Sequence, residues 1–288
     1  MKINYNCLPC LINQVVKVAD MTKAKNKDEL FRQVFGVLST LDFNKTNPQI
    51  IGETFELLKK HIGEEDPYLE IRSYYNKMFL SLSDTFRARI ERDENPFQMA
   101  VKYAILGNII DFNPIHNSEI SDILSHFEHV ADCPLVLNDT VKLKAAAGAA
   151  KTLLYLGDNC GEICLDKLLL AKIKEQNPKL TIYFGVRGTP VVNDSIEADA
   201  YQVGIDEYAT ILSNGDKSLG TVLSHTSAEF QEVFWNADLI IAKGQANYES
   251  LSEEKKEDMY FLLMAKCAVI ADAIGVPQKS MICKRQEF

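Results

Sequence analysis

Polar side chains of the kinds that bind metal ions and phosphate groups follow two short apolar runs in the middle of the chain. The first run spans residues 153–156 and the second spans residues 182–186. The polar side chains are Asp158, Asn159 and Glu162 after the first run, and Arg187, Asn193 and Asp194 after the second. Two aspartates and an asparagine offer the hard oxygen ligands that suit an octahedral divalent ion such as Mg²⁺ or Mn²⁺. These residues are our candidates for an active site, with Asp158, Asn159 and Asp194 as candidate metal ligands.

The elements that must position these residues form a strand–helix–strand unit. Both apolar runs are too short for helices and are rich in β-branched or aromatic residues or in leucine, so they predict buried strands. Residues 162–174 between them carry apolar side chains at helical spacing, which predicts a helix packed on a core. A unit of this kind is typical of a parallel sheet, in which ligands bind at the carboxyl ends of the strands. We therefore expect both groups of polar residues at one edge of the sheet, beside a helix N-terminus that favours phosphate.

Each of these features also has a purely structural explanation. Asp158 and Asn159 precede a predicted helix, where aspartate and asparagine are preferred capping residues. Arg187 directly follows its strand and either binds an anion or forms a structural ion pair. A site is favoured because oxygen ligands, a cation and the glycines Gly157 and Gly161 occur together, a combination found nowhere else in the chain.

A lysine and two further polar residues extend the candidate site. Lys243 follows the apolar run at residues 238–242, where a lysine either is solvated after an edge strand or holds a phosphate. Asn108 and Asp111 continue the apolar stripe of a helix predicted to begin at Pro96. Because polar groups on a buried face need partners, these two residues either cap a neighbouring helix or form one wall of the site.

Cys7 and Cys10 form a CxxC pattern at the start of a predicted helix. A structural zinc site needs four ligands, and the sequence contains no second CxxC and no paired histidines at ligand spacing. The pattern leaves redox chemistry and simple packing open, and we include neither cysteine among the candidate catalytic residues.

The composition argues against some classes of partner. The 288 residues include 31 lysines and arginines against 40 aspartates and glutamates, a net charge of −9. Such acidity argues against nucleic acid or an anionic membrane as the main partner. No apolar run approaches the ~20 residues of a membrane span, and the N-terminus lacks a signal-peptide pattern. The seven scattered cysteines fit reduced thiols, so we expect a cytoplasmic protein acting on a small molecule, in an oligomeric state that the sequence leaves open.

Two parts of the chain differ in their hydrophobic pattern. Residues 1–130 are apolar at helical spacing and predict a helical N-terminal domain packed on the remainder. Residues 131–288 alternate between strand-like and helical stretches, which predicts a layered α/β domain with a mainly parallel sheet. Further strands are predicted at residues 208–212, 238–242 and 259–265, and further helices at residues 195–200 and 218–236.

Three motifs, in this order, resemble those of the metal-dependent damage-control phosphatases. They are Gly-Asp-Asn-Cys-Gly-Glu at 157–162, Val-Arg-Gly to Asn-Asp at 186–194, and Ala-Lys-Gly-Gln-Ala-Asn-Tyr-Glu at 242–249. The N-terminal CxxC, Asp-Pro-Tyr at 66–68 and Gly-Asn-Ile-Ile-Asp-Phe at 107–112 are similar to the prokaryotic branch of that family. The likeness extends over the whole chain, although Cys160 occupies a position that is often alanine in relatives.

The resemblance implies a helical N-terminal part packed on a Rossmann-like α/β/α core, with a divalent metal ion (Mg, Mn, Co or Ni) at the strand ends. By motif position, the metal ligands would be Asp158, Asn159 and Asp194, and the residues around the phosphate would be Lys243, Glu162, Arg187 and Asn193. The implied activity is hydrolysis of phosphate esters of small metabolites, such as sugar phosphates or damaged phosphometabolites.

Two alternative functions remain. One eukaryotic branch of the family has been described as a carboxyl methyltransferase dependent on S-adenosylmethionine. Such an enzyme favours an acidic residue after the second strand, where this chain has Arg187. A non-catalytic binder of anionic metabolites would keep Lys243 and Arg187 and would need no metal.

Overall fold

The structure, a computed structural model, describes residues 1–107, 124–125 and 127–287. The strands are β1 (Leu135–Asn138), β2 (Thr152–Leu156), β3 (Thr181–Val186), β4 (Thr210–Ser213), β5 (Leu239–Lys243), β6 (Met259–Met264) and β7 (Met281–Arg285). They form one sheet in the order β1-β7-β6-β5-β2-β3-β4. Every neighbouring pair is parallel except β6 and β7, which confirms the predicted mainly parallel sheet. The candidates Asn108 and Asp111 lie outside the described residues.

The three strands that end at the candidate site are neighbours in the sheet. β2 lies between β5 and β3, with Leu156 paired to Ala242 on one side and to Gly185 on the other. The chain runs from β2 outward to β3 and β4, and then returns to β5 on the opposite side of β2. Such a reversal leaves a crevice at the carboxyl ends of β2 and β5, the usual ligand position in open α/β sheets.

Helices flank the sheet among the described residues. They are α1 (Leu8–Met21), α2 (Lys27–Ser39), α3 (Asn47–Ile62), α4 (Leu69–Glu91), α5 (Pro96–Leu106), α6 (Thr140–Ala149), α7 (Glu162–Gln176), α8 (Glu197–Gln202), α9 (Ala228–Asn236), α10 (Gly244–Leu251) and α11 (Ala268–Ile274). α3 ends at Gly63, which has the left-handed conformation that is common after a helix C-terminus. Within the described part of the chain, we find no helix with both the length and the apolarity needed to cross a bilayer.

Side chains of alternate residues along β2 enter two separate cores. Leu153 and Tyr155 pack in the core shared with α4, α5, α6 and α7. Leu154 and Leu156 pack in the core shared with α9, α10 and α11. The sheet is therefore the middle layer of an α/β/α arrangement, and two helices of the N-terminal half, α4 and α5, contribute directly to one of its cores. The domain boundary near residue 130 stays a prediction.

Two details of the predicted secondary structure differ from the structure. The sequence pattern did not predict β1 and β7, which are short and pair with each other from distant parts of the chain. The helix predicted at residues 218–236 begins only at Ala228, where Ser227 caps its first turn. The residues before it form a loop that is fixed by non-local bonds, such as Ser227 N to Asn214 O at 2.9 Å. The side-chain periodicity of this segment is helical, whereas its backbone forms only a short 3-10 turn at Leu223–His225 and further bonds to distant residues, such as Leu219 N to Pro48 O at 3.2 Å.

Candidate active site

Arg187 brings the two candidate carboxylate ligands together. It directly follows β3, and its side chain is buried. Its Nε donates to Asp194 Oδ2 at 2.6 Å, and its Nη2 donates to Asp158 Oδ1 at 3.4 Å. Both aspartates are buried as well. The predicted convergence of residues that follow β2 with residues that follow β3 is therefore present, and Arg187 forms the ion pairs that the sequence left as one of two possibilities.

Backbone hydrogen bonds join the loop after β2 to the loop after β3. Cys160 N donates to Asn193 O at 2.9 Å, and Ser195 N donates to Asp158 O at 2.8 Å. Just before these anchors Val192 has a φ of 48°, a left-handed conformation that is unfavourable for a β-branched residue. Such strain persists only where the surroundings impose it. Here it accompanies the sharp turn that directs Asp194 toward Asp158.

Asn159 connects the aspartates to a second buried cluster. Its Nδ2 donates to Asp158 Oδ2 and to Glu162 Oε2, both at 3.0 Å. Glu162 Oε1 in turn accepts from Lys243 Nζ at 2.5 Å. All four side chains therefore belong to one hydrogen-bonded network at the ends of β2 and β5.

Lys243 lies inside the protein rather than at a solvated strand end. Its Nζ donates to Glu162 Oε1, to Asp166 Oδ1 at 2.7 Å and to Ala104 O in α5 at 2.7 Å. These three bonds use the full donor capacity of the ammonium group. In this arrangement Lys243 binds carboxylates, and direct contact with a phosphate would require one of the three bonds to break.

The network holds more carboxylates than cations. Four buried carboxylates, Asp158, Asp194, Glu162 and Asp166, accompany two buried cations, Arg187 and Lys243. Burial raises the pKa of Asp158 well above its usual range, and the neighbouring charges of Asp194 and Glu162 raise it further. Burial likewise raises the pKa of Asp166 to about 6, although Lys243 opposes this shift. A divalent cation would offset this excess of negative charge.

The donor set fits a hard divalent ion, provided that Asn159 takes part. Among the described residues no group of three or more His, Cys, Asp or Glu side chains is placed to hold a metal. Asp158 and Asp194 supply two carboxylates, and Asn159 adds an amide whose oxygen becomes available when the amide group turns over. Two carboxylates, one amide oxygen and water are typical ligands of Mg²⁺ and Mn²⁺.

The helix N-terminus beside the site is already occupied by protein groups. α7 is preceded by Gly161, with a φ of 80°, so neither Asp158 nor Asn159 is its capping residue. The amide of Gly161 donates to Asn76 Oδ1 in α4 at 2.7 Å. A side chain from the N-terminal half therefore occupies one of the backbone donors at this helix end, where the sequence predicts a phosphate position.

Three residues of the network were not among the sequence candidates. Asp166 lies four residues after Glu162, and its position within the apolar stripe of α7 was a signal of a buried partner. Asn76 has a similar place within α4. Asn247 links the strand ends, because its Nδ2 donates to Gly157 O at 3.2 Å and to Lys243 O at 2.7 Å. The sequence signal that could have identified Asn247 was its place in the third motif, at residues 242–249.

A cavity of about 980 Å³ opens beside this edge of the sheet. Asn159 and Asn193 are among its lining residues, so one candidate metal ligand and one candidate phosphate-binding residue border a space large enough for a metabolite. Cys7 and Cys10 are not among the described lining residues; both are free thiols, Cys7 buried and Cys10 exposed.

A family model described as the damage-control phosphatase ARMT1-like domain matches residues 3–282. The chain belongs to this family. A protein of Pyrococcus horikoshii named as a damage-control phosphatase is 32% identical to it, over 100% of this chain and 99% of that protein. A protein of Archaeoglobus fulgidus with the same name is 31% identical over 99% of both chains.

A solved structure has the same architecture. The crystal structure of a DUF89 family protein from Pyrococcus horikoshii matches the fold with a TM-score of 0.92 and 30% identity, over 100% of both chains. Membership of the family thus extends from motifs to the whole fold, whereas assignment to a branch defined by the N-terminal CxxC stays a prediction.

Proposed function

We propose that this protein is a divalent-metal-dependent phosphatase that hydrolyses phosphate esters of small metabolites, with sugar phosphates and damaged phosphometabolites as the candidate substrates. The observation that carries the proposal is the buried pair Asp158 and Asp194, joined to Asn159 at the crevice between β2 and β5. Membership of a family whose relatives are named as phosphatases supports the reaction type.

The residues of the network divide into ligands and positioning groups. Asp158, Asn159 and Asp194 would hold the metal, which supplies Lewis-acid activation of the phosphoryl group and of water when it is bound. Arg187 fixes the orientation of both aspartates from behind. Lys243 fixes Glu162, and Glu162 fixes Asn159, so Lys243 acts on the site through these bonds.

Hydrolysis then follows the usual course of phosphoryl transfer. Water adds to phosphorus, the ester P–O bond breaks, and the alcohol leaves with a proton. A carboxylate that holds a metal is a poor nucleophile, so we assign the attack to water rather than to Asp158. Asn193 borders the cavity beside these ligands, and we propose it as a phosphate-binding side chain.

The first experiment measures phosphate release from p-nitrophenyl phosphate and a panel of sugar phosphates. The protein is stripped with EDTA, and Mg²⁺, Mn²⁺, Co²⁺ or Ni²⁺ is restored singly. We expect metal-restored turnover that Asp158→Asn lowers by at least about a hundredfold, because the variant loses one of two charged ligands. Asp206→Asn removes an exposed carboxylate outside the network and should retain turnover.

Other results would contradict the assigned site or favour one of the alternative functions. Near-normal activity of Asp158→Asn would contradict the assigned site. Folded protein that binds sugar phosphates without turnover or metal would instead be a metabolite binder. Binding of S-adenosylmethionine by inactive protein, measured by calorimetry, would favour a methyltransferase.

A further inference from the structure

The wall of the cavity differs in charge from the rest of the molecule. The chain carries a net charge of −9, yet no aspartate or glutamate is among the described residues that line the cavity. Three lysines do line it: Lys17, Lys266 and Lys279. The carboxylates of the network lie buried behind the cavity surface, so a ligand in the cavity meets lysine, amide and apolar groups.

The fold brings the three lysines to the cavity from two sides. Lys266 follows β6 and Lys279 precedes β7, and these segments are joined by Lys279 N donating to Ala265 O at 2.7 Å. Lys279 also has a φ of 67°, a conformation that disfavours a long side chain and that the tight connection imposes. Lys17 comes from α1, one turn after Gln14, whose Nε2 donates to Tyr68 OH at 2.9 Å.

Within the described part of the chain the three lysines have no carboxylate at ion-pair distance, although Lys266 is close enough to Asp158 to favour the charged form of that carboxyl group. Other lysines do form ion pairs, namely Lys27, Lys45 and Lys167. Lys266 and Lys279 carry like charges on segments that are hydrogen-bonded through their backbones, and an anion bound by both side chains would offset these charges. An arrangement of this kind is typical of an anion-binding surface.

The remaining lining residues are largely apolar. They include Leu106, Pro134, Val136, Met264, Pro277 and Met281. A volume of about 980 Å³ is near the upper end of the range for small-molecule sites. A phosphate group at the strand ends would therefore leave room for an apolar body that extends toward the lysines.

We propose that the cavity recognises a phosphate monoester with a partly apolar body and a second anionic group, a carboxylate or a phosphate, which Lys17, Lys266 and Lys279 bind. The inference rests on the proposed phosphatase function, since it places the scissile phosphate at the strand ends. It makes the three lysines determinants of specificity that bind a part of the substrate other than the bond that breaks.

The test compares phenyl phosphate with 4-carboxyphenyl phosphate, two esters that share an apolar ring and differ in one carboxylate. Values of kcat and KM are measured with the activating metal for the wild type, for Lys17→Gln, Lys266→Gln and Lys279→Gln, and for the triple variant. We expect kcat/KM to favour the carboxylate ester by roughly tenfold in the wild type, mainly through KM. The triple variant should lose this preference while it still hydrolyses phenyl phosphate.

A matched control and the paired substrates separate the effect of the three lysines from general effects of substitution. Lys255→Gln changes an exposed lysine outside the cavity and should keep the preference. Intrinsic differences between the two leaving groups cancel when each variant's ratio is divided by the wild-type ratio. A second pair, phenyl phosphate and 1,4-phenylene bisphosphate, shows whether the lysines bind phosphate as well as carboxylate.

Different results would contradict the second anion site and the phosphatase activity. Hydrolysis of phenyl phosphate without a preference, or with a preference that survives in the triple variant, overturns the second anion site and leaves the phosphatase intact. Absence of turnover with every metal overturns the phosphatase. In that case calorimetry decides the anion site: tighter binding of 4-carboxyphenyl phosphate that depends on the lysines supports it, and equal binding of both esters overturns it.

Discussion

The guanidinium group of Arg187 holds the carboxylates of Asp158 and Asp194 in one site. Arg187 reaches Asp194 through Nε and Asp158 through Nη2, and all three side chains are buried. Its planar group fixes the direction of each carboxylate, which a flexible ammonium cannot do. Partners that orient metal ligands in this way contribute strongly to metal affinity.

We therefore expect Arg187→Lys to weaken Mn²⁺ binding by about tenfold or more, as loss of such partners usually does. The lysine keeps the positive charge but leaves at least one aspartate without its oriented bond. Calorimetric titration of EDTA-stripped protein measures the dissociation constant. Arg87→Lys, at an exposed position on α4, is the control. Equal affinity in both variants would mean that Arg187 serves only the fold.

For single residues, the sequence predicts which side chains lie in the same region better than it predicts which hydrogen bonds they form. Asp158, Asn159 and Asp194 could be expected together because the carboxyl ends of adjacent parallel strands meet at one edge. The partners of Lys243 could not be predicted, because Asp166 and Ala104 reach it only when α7 and α5 pack on the sheet. Both alternatives considered for that lysine placed it at a solvent or ligand boundary, whereas the structure buries it.

Between elements, the contact that shapes the site is the close approach of two loops. Gly188 follows Arg187, and its N donates to Asp216 O at 3.0 Å. A Cβ on Gly188 would lie 2.5 Å from the Gly215 carbonyl carbon and 2.6 Å from Asp216 N. Because these are backbone atoms, they cannot rotate away, and the glycine is required for the packing of this loop beside Arg187.

Two glycine-to-alanine substitutions should have opposite effects on the free energy of unfolding. Gly188→Ala should lower it by about 1–3 kcal/mol, as overpacking does, and should weaken metal-dependent turnover by displacing Arg187. Gly36→Ala should raise it by about 0.5–1 kcal/mol, since alanine is the better helix former and its Cβ in α2 would contact nothing within 4 Å. Urea denaturation measures both. A neutral Gly188→Ala would show that the two loops separate easily.

Pairing between distant parts of the chain explains why two strands were not predicted. Strands buried on both faces, such as β2 and β5, have a continuous apolar pattern that identifies them. β1 is short and partly exposed, and it is stabilised by pairing with β7, whose residues lie more than a hundred positions away. Sequence periodicity depends only on residues that are near each other in the chain, so it gives no information about pairing between distant segments.

Across the whole molecule, the beginning of the chain is tied to α10. The N-terminal amine of Met1 donates to Glu249 O at 2.5 Å, and Asn47 Nδ2 donates to Glu249 Oε1 at 3.3 Å. Farther away, Arg72 in α4 donates to Asp199 at 3.0 Å. These contacts connect the helical half to α8 and α10 through buried polar groups.

Glu249 predicts a particular pH dependence of stability. Burial raises its pKa from an ordinary 4.5 to about 7, although the bond from Asn47 and the N-terminal amine oppose the shift. Between these two pKa values the folded protein retains a proton that the unfolded chain releases, so this group makes stability fall as pH rises. The loss of unfolding free energy amounts to about 3 kcal/mol at most and is complete above pH 7.

Urea denaturation between about pH 5 and pH 8 tests this prediction. The free energy of unfolding should decrease less for Glu249→Gln, whose amide stays neutral, than for the wild type or for the exposed control Glu257→Gln. Parallel decreases in all three proteins would mean that Glu249 is already charged in the folded state at pH 5.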